Sequence, residues 1–418
     1  INNLKLNVKN VVVVSAIKGI TDKLINYVNS IKNKENQTEI LMDISKLNKN
    51  LIEDLKLEDN SFLEKDFNFL SLKMDSNLEL QDSIDCISMG ETFTAKILNK
   101  YLESKNFKSS YLDSIEFINC DSANISIFNN GEFSVDASVL LKSFENFDIL
   151  VVPGFRGKNI KNMISIMVRG GSDTTGSIIA SSIKAKKYQI WTDVNGIYSS
   201  DPNKVNNVNI IKSISYDAAQ EISAMGAKVI HPYCIKPCKQ YNIPIEVRNT
   251  YNYQSEFTTI ENVDDSNLPI YAVTIQENNT IFKIESLNMW NNYGFVYDIF
   301  SKFKDFNVDV NIINTSQFDI TTTTNDTDME KLLSLKMELE KNYNVNITNN
   351  CSLISIIGEN LKKYKKLNLI MDAIMNFDIK LTSYSSNDMT LSFMVKKEES
   401  DLLANKLHSI IFPFNEMY

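Results

Sequence analysis

Two polar clusters, each at the junction of a helix or strand with a loop, are where this chain could do chemistry. In the first, Arg169-Gly170-Gly171-Ser172-Asp173-Thr174-Thr175, a Gly-Gly turn lies between an arginine and a run of polar residues that opens a helix. In the second, Thr192 and Asp193 end the apolar stretch YQIW and lead into a turn at Gly196 and then Asp201-Pro202. The order is loop, helix, strand, loop. It sets backbone N–H donors and the positive end of a helix dipole against an anion, which suits phosphate and carboxylate groups. Glycine usage supports this. Of the 12 glycines, seven (154, 157, 170, 171, 176, 196 and 226) fall within 73 residues, where the backbone needs a positive φ or a ligand needs close approach.

Three further places carry polar groups beside such loops. VVVV at 11–14 runs into SAIKGITDKL, so Ser15 and Thr21 lie near the carboxyl end of a strand, where open α/β sheets bind ligands. Helix capping is equally compatible with their types. In SMGETFTAKIL, Gly90 and Glu91 precede a helix, and a carboxylate there is favourable for the dipole alone. Lys228, in GAKVIHP, either reaches a phosphate or offsets a helix C-terminus.

The elements that must position these groups read as an α/β fold. VVVV and ILVVP are short continuous apolar runs, as expected of parallel strands covered on both faces. Residues 23–105 are mostly helical by their three- and four-residue apolar spacing, SYDAAQEISAMGAK reads as a helix, and IPIEVRNT as a strand. Composition shifts at about 260–268, a linker. Beyond it, IYAVTIQ and TIFKIES precede the GFVYDIFSKFKDF helix, the strands VDVNIINTS and FDITTTT follow, and SLISIIG begins a second passage of the same kind. Each fits strand, helix, strand, strand, helix, a ferredoxin-like module. A tandem pair of such modules implies either regulation by a small ligand or a dimerisation lobe.

Bulk properties narrow the class. At 418 residues two or three domains are expected, and 43% apolar with 23% charged residues describes a globular protein. A net charge of −9 with no basic stripe argues against nucleic acid as a partner. No apolar run spans a bilayer and no secretory signal is present, so a cytoplasmic, non-membrane protein is expected. Five cysteines without a paired framework fit reduced thiols, Cys234 and Cys238 complete no zinc site, and two histidines give little support to a triad or a protein-held metal.

The motifs VVVVSAIKGITDKL, SMGETFTAKIL, VPGFRGK, VRGGSDTTGS, IWTDVNGIYSSDP, SYDAAQEISAMGAKVIHP and IPIEVRNT, in this order, resemble those of aspartate kinases. The first module, with ESLNMWNNYGFVYDIF and NTSQFDIT, is similar to the monofunctional, lysine-sensitive branch, so no homoserine dehydrogenase segment is expected after Tyr418. The resemblance implies an amino-acid-kinase fold (a mostly parallel sheet flanked by helices) over 1–262, then two ferredoxin-like ACT modules over 263–418, divided as about 268–345 and 346–418. It implies ATP with Mg2+, L-aspartate as acceptor, and 4-phospho-L-aspartate on the path to lysine, threonine and methionine. It also implies feedback by an amino acid, lysine first, and a homo-oligomer formed through the ACT modules.

Residue by residue, Arg169 matches the arginine that binds a substrate carboxylate, and its planar fork suits that task. Glu91 matches the acid near the aspartate ammonium, Ser15, Thr21 and Ser172 further substrate contacts, and Asp173 the aspartate beside the reacting centre. Gly170, Gly171, Thr192, Asp193, Tyr198 and Lys228 match the nucleotide side. There are departures. The family's opening Lys-Phe-Gly-Gly-Thr-Ser, whose lysine contacts phosphates, is absent, so a truncated and inactive chain is expected. Asn203 stands for the arginine of Asp-Pro-Arg, Asn195 for Asp and Gly176 for Ala. The alternative is a non-catalytic ACT-containing amino-acid sensor that has lost the kinase lysine.

Overall fold

A computed structural model describes residues 8–59, 61–74, 76–120, 133–167, 170–227, 229–263, 270–286 and 293–413. Arg169 and Lys228 lie outside the described residues. Two compact units emerge, Ile1–Ile190 with Ile230–Ile245, and Trp191–Val229 with Glu246–Tyr418.

The first unit is built on a parallel sheet in which strand Ile149–Pro153 lies between Asn10–Val14 and Ser109–Tyr111. Alternation sets its two faces. Ile149 and Val151, with Val12 and Val14, pack on the Met89–Ser104 helix through Ala95, Leu98 and Leu102. Leu150 and Val152, with Val11 and Val13, pack against Ile178 and Ile179 of the Gly171–Ser182 helix. The central strand is buried throughout, whereas Asn10–Val14 is covered on both faces but only half-buried. The reason is its position, since it pairs with one described neighbour. A second sheet has the order Phe133–Val135, Ile118–Cys120, Arg156–Asn159, Ile164–Ile166, with its middle pair parallel. Helices Ile20–Asn33, Gln37–Asp54 and Glu64–Lys73 close a separate core around Leu24, Tyr27, Ile44, Leu70 and Phe93.

Three sequence expectations give way to the structure. The helix of SMGETFTAKIL begins at Met89, so Gly90 and Glu91 are in its first turn rather than ahead of it. A Cβ at Gly90 would stand 2.8 Å from the Ala16 Cβ, and only glycine lets the helix reach the loop that follows the first strand. The helix of SYDAAQEISAMGAK spans only Tyr216–Ala224, and Gly226, at φ 113°, lies in the turn beyond it.

In the second unit, the C-terminal residues form one six-stranded antiparallel sheet. Its order is Ile313–Thr315, Asp319–Thr324, Ile270–Glu285, Asn344–Gly358, Thr390–Lys396, Leu381–Tyr384. The order strand, helix, strand, strand, helix occurs twice, with helices Phe295–Asp305 and Met329–Leu339 in the first repeat and Leu367–Ile374 and Lys397–Ile411 in the second. IYAVTIQ and TIFKIES are not two strands but one, Ile270–Glu285. The polar Glu277-Asn278-Asn279 break is absorbed as a bulge, with Asn278 at φ 59° and the buried Asn279 amide donating to the Gln276 carbonyl at 2.8 Å. Each repeat has its own core. Phe282, Ile299, Phe303, Leu332 and Leu335 fill the first, and Ile370, Ile374, Phe393, Leu403 and Leu407 the second. The same unit holds the segment around Ser199, whose carbonyl accepts from the Val273 N–H at 2.8 Å and whose hydroxyl pairs with His408 Nε2 at 2.9 Å.

Phe393 is fully buried at the centre of the second repeat's core. Phe393→Ala is expected to lower the stability of this unit by about 3–5 kcal/mol, read as an earlier transition in a denaturant titration.

Candidate active site

In the first unit, three chain segments meet where the parallel strands end. The Gly154 N–H donates to the Val14 carbonyl at 3.0 Å, tying the loop after Ile149–Pro153 to the end of Asn10–Val14. That loop abuts the N-terminus of the Gly171–Ser182 helix so closely that a Cβ on Gly154 would lie 2.6 Å from Ser172 Oγ. Phe155 takes a φ of 70°, which is rare for a bulky residue. It is held there because its N–H donates to Thr175 Oγ1 at 3.0 Å and its carbonyl accepts from the Met167 N–H at 2.8 Å.

The helix itself starts without a side-chain cap. Its N-cap, Gly170, has φ 74°, and a Cβ there would be 2.4 Å from the His231 side chain. First-turn N–H groups are consequently available to an anion. Asp173 sits in that turn, half-buried, its carboxyl pushed up to about 6 by burial. The Tyr188 hydroxyl donates to the Asp173 carbonyl at 3.0 Å, and its ring occupies the space beside Gly176, where a Cβ would be 2.6 Å away. Gly176 in place of the family's alanine is thereby explained: the tyrosine ring fills the methyl's position.

Glu91 is 5% exposed. Its carboxylate accepts from its own N–H and from that of Ala16, next to Ser15 in the loop after the first strand, while Oε2 has no hydrogen-bond partner among the described residues. Burial pushes it up to about 7, and the N–H donors and the positive field of Arg156 act in the opposite sense. Thr21 lies in the first turn of Ile20–Asn33, whose N-cap Gly19 has φ 84°. The unit thus gathers the Ser15 loop, Glu91 and the Gly170–Asp173 turn around the strand ends. An ionised Glu91 offers a buried receptor for an ammonium, and the uncapped helix offers one for an anion.

In the second unit, Thr192 ends its strand, its hydroxyl donating to Asp193 Oδ1 at 3.2 Å and its carbonyl accepting from the Thr250 N–H at 2.8 Å. Asp193 is exposed. The Asn249 amide donates to the Asp193 carbonyl at 3.3 Å and to Asn195 Oδ1 at 2.8 Å, so the departure at 195 keeps an acceptor. Tyr198 bridges to Ile210. Asn203 turns back, its backbone N–H and its amide both donating to Asp201 Oδ1, at 2.9 and 3.0 Å.

Sequence reasoning passed over Phe155, Tyr188 and His231, whose roles show only as packing against glycines. It also passed over Arg156, although VPGFRGK contains it. Among the described residues there is no cluster of three or more His, Cys, Asp or Glu able to hold a metal ion.

This arrangement, an α/β unit with ligand groups at the strand ends and an uncapped glycine-led helix, accompanies a match to the amino acid kinase family over residues 1–249. The chain belongs to that family. More specifically, it is similar to the lysine-sensitive aspartokinase 3 of Escherichia coli (strain K12), with 27% identity covering 78% of this chain and 75% of that protein. It is also 27% identical to the chloroplastic aspartokinase 2 of Arabidopsis thaliana, covering 82% of this chain and 66% of the relative, just under two thirds of that relative's length. The solved structure of E. coli aspartokinase III in complex with aspartate and ADP superposes with a TM-score of 0.80 at 25% identity, covering 96% of this chain and 93% of that one.

Two outcomes follow from the geometry. Gly170→Ala forces a Cβ into His231 at a positive φ, and a loss of about 1–3 kcal/mol is expected, read as a lower melting temperature. Glu91 has a raised native pKa, so the native state binds more protons than the unfolded one between the ordinary glutamate range and about 7. The group's favourable contribution is present at low pH and is lost as pH rises through that window. The stability of the wild type relative to Glu91→Gln is therefore expected to fall between pH 5 and 8, by up to on the order of 3 kcal/mol.

Proposed function

We infer that the protein is an aspartate kinase, transferring the γ-phosphoryl group of ATP to the side-chain carboxylate of L-aspartate. The observation that carries the reading is Glu91, a buried carboxylate whose Oε2 has no partner among the described residues, in the unit whose uncapped Gly171–Ser182 helix starts at the strand ends. An ammonium and an anion each have a receptor there, and the similar E. coli enzyme has been captured with aspartate and ADP.

In this reading Glu91 receives the aspartate ammonium, Arg169 a substrate carboxylate, and Ser15, Thr21 and Ser172 complete the substrate contacts. Asp173 lies beside the reacting centre. The attacking carboxylate is already nucleophilic, so catalysis rests on positioning and on offsetting charge at the transferred group. Gly170 and Gly171 supply N–H donors to that group, while Thr192, Asp193, Tyr198 and Lys228 hold ATP. Mg2+ enters as part of Mg-ATP and keeps much of its water, so the chain need provide no dedicated cage.

Residues 1–262 make the catalytic domain and 263–418 the tandem ACT region, with a small effector, lysine, acting through the latter. Its support is the repeated strand-helix order and the lysine-sensitive relative. Assembly into a homo-oligomer through these modules and a cytoplasmic location complete the reading. No described helix is long and apolar enough to cross a membrane.

The test is ADP release from Mg-ATP with a panel of amino acids. Aspartate alone is expected to support turnover, with lysine lowering the rate, and release with no acceptor preference would sink the assignment. Glu91→Gln is expected to raise the KM for aspartate roughly 10- to 100-fold while leaving that for ATP nearly unchanged, because a charge-assisted contact to the ammonium is lost.

A further inference from the structure

Arg156 is 3% exposed, so its charge is held away from water and its partners account for its place. It lies on strand Arg156–Asn159, directly after the Gly154-Phe155 turn. Nη1 donates to Thr92 Oγ1 at 2.7 Å and reaches the Ser88 carbonyl and hydroxyl at 3.4 Å, so it grips the first turn of the Met89–Ser104 helix on both sides of Glu91 in sequence. Nη2 donates to Asp113 Oδ2 at 3.2 Å, and the Tyr111 hydroxyl donates to the same oxygen at 3.0 Å. Nε is buried without a partner among the described residues.

We propose that Arg156 is a positioning residue for Glu91: it fixes the helix turn that carries the carboxylate and supplies the positive charge that makes burying that carboxylate's charge tolerable. The inference rests on the assignment of Glu91 to a substrate ammonium. A lysine would give a point charge but not the fork that spans Ser88, Thr92 and Asp113 at once.

The electrostatic surroundings are few. Asp113 and Tyr111 face the guanidinium from the segment after Ser109–Tyr111, and Asp85 feels it from the Leu80–Ile87 helix, held up by burial and bonded by Gln81 at 2.6 Å. The Lys73–Asp82 pair lies beyond Asp85, and Lys96 is paired with Asp66 at 2.6 Å. Among the described residues, Arg156 is the charged group whose field reaches Glu91.

The experiment measures the pH dependence of kcat/KM for aspartate and, separately, the titration of the Glu91 carboxyl carbon by NMR, assigned with Glu91→Gln. Arg156→Gln is expected to move the acid limb and the Glu91 titration upward by about one pH unit. The KM for aspartate then rises about fivefold at pH 7 and is largely recovered near pH 9, with the KM for ATP within twofold. Arg156→Lys should restore part of the shift. Asp113→Asn keeps Arg156 but removes its anionic partner, so the Arg156 charge acts on Glu91 less opposed and both midpoints should move downward. A purely structural arginine predicts loss without a shifted midpoint, and the same direction for Arg156→Gln and Asp113→Asn; either result overturns the proposal. Asp113→Asn and Arg156→Lys keep the test decisive where Arg156→Gln does not fold. If the wild type shows no aspartate-dependent ADP release, the kinase reading fails, yet the NMR titration still decides whether Arg156 tunes Glu91.

Discussion

The first unit depends on backbone segments approaching more closely than side chains allow. Gly90 lets a helix turn meet Ala16, Gly154 lets a strand end meet Ser172, and Gly170 lets the helix start pass His231. Each contact would be lost to a single Cβ. Together they draw the loops after two parallel strands and the starts of two helices into one place. Ligand groups then need no long side chains to reach one another. Backbone N–H groups brought there are fixed by the fold and would lose little entropy on binding an anion.

That convergence has an electrostatic cost. Glu91 and Asp173 are both held where their charged forms are poorly solvated, with values near 7 and 6. The two are treated differently. Glu91 has two N–H donors and the field of Arg156, while burial is what raises Asp173 among the described residues. An ionised Glu91 is thus partly prepared for a cation, whereas the charge of Asp173 is restrained by burial alone among the described residues. Perturbed carboxyls of this kind mark sites where binding takes precedence over stability.

The architecture was legible from the sequence where periodicity and glycine spacing speak. The apolar runs at 11–14 and 149–153, the helix opening at Gly171 and the twofold strand-helix order after residue 270 all stand where their patterns point. What was not legible depends on contacts distant in sequence. The exchange of Gly176 for alanine looks neutral until Tyr188 is seen filling the space. The polar break at 277–279 looks like a strand end until neighbouring pairing carries it through as a bulge. Arg156 looks like an incidental charge in a turn motif until Thr92 and Asp113, far along the chain, are found beside it.

In the second unit the six-stranded sheet and the segment around Tyr198 share one packing problem. Strand Ile270–Glu285 runs unbroken through the six-stranded sheet, and its Val273 N–H and carbonyl are both bonded to the Ser199-Ser200 pair, next to Tyr198. His408, on the last helix, meets Ser199 from the other side, and burial keeps its imidazole toward the neutral form suited to a hydroxyl partner. Farther along, Glu221 accepts from Asn387 at 2.9 Å and from Thr390 at 3.0 Å, and Ser215 donates to Glu359 at 2.6 Å. The buried bonds of Ser199 to His408 and of Ser200 to Val273 have few alternative partners, so they tie the sheet to the Tyr198 segment. The bulge beside Asn279 leaves that strand two differently packed halves.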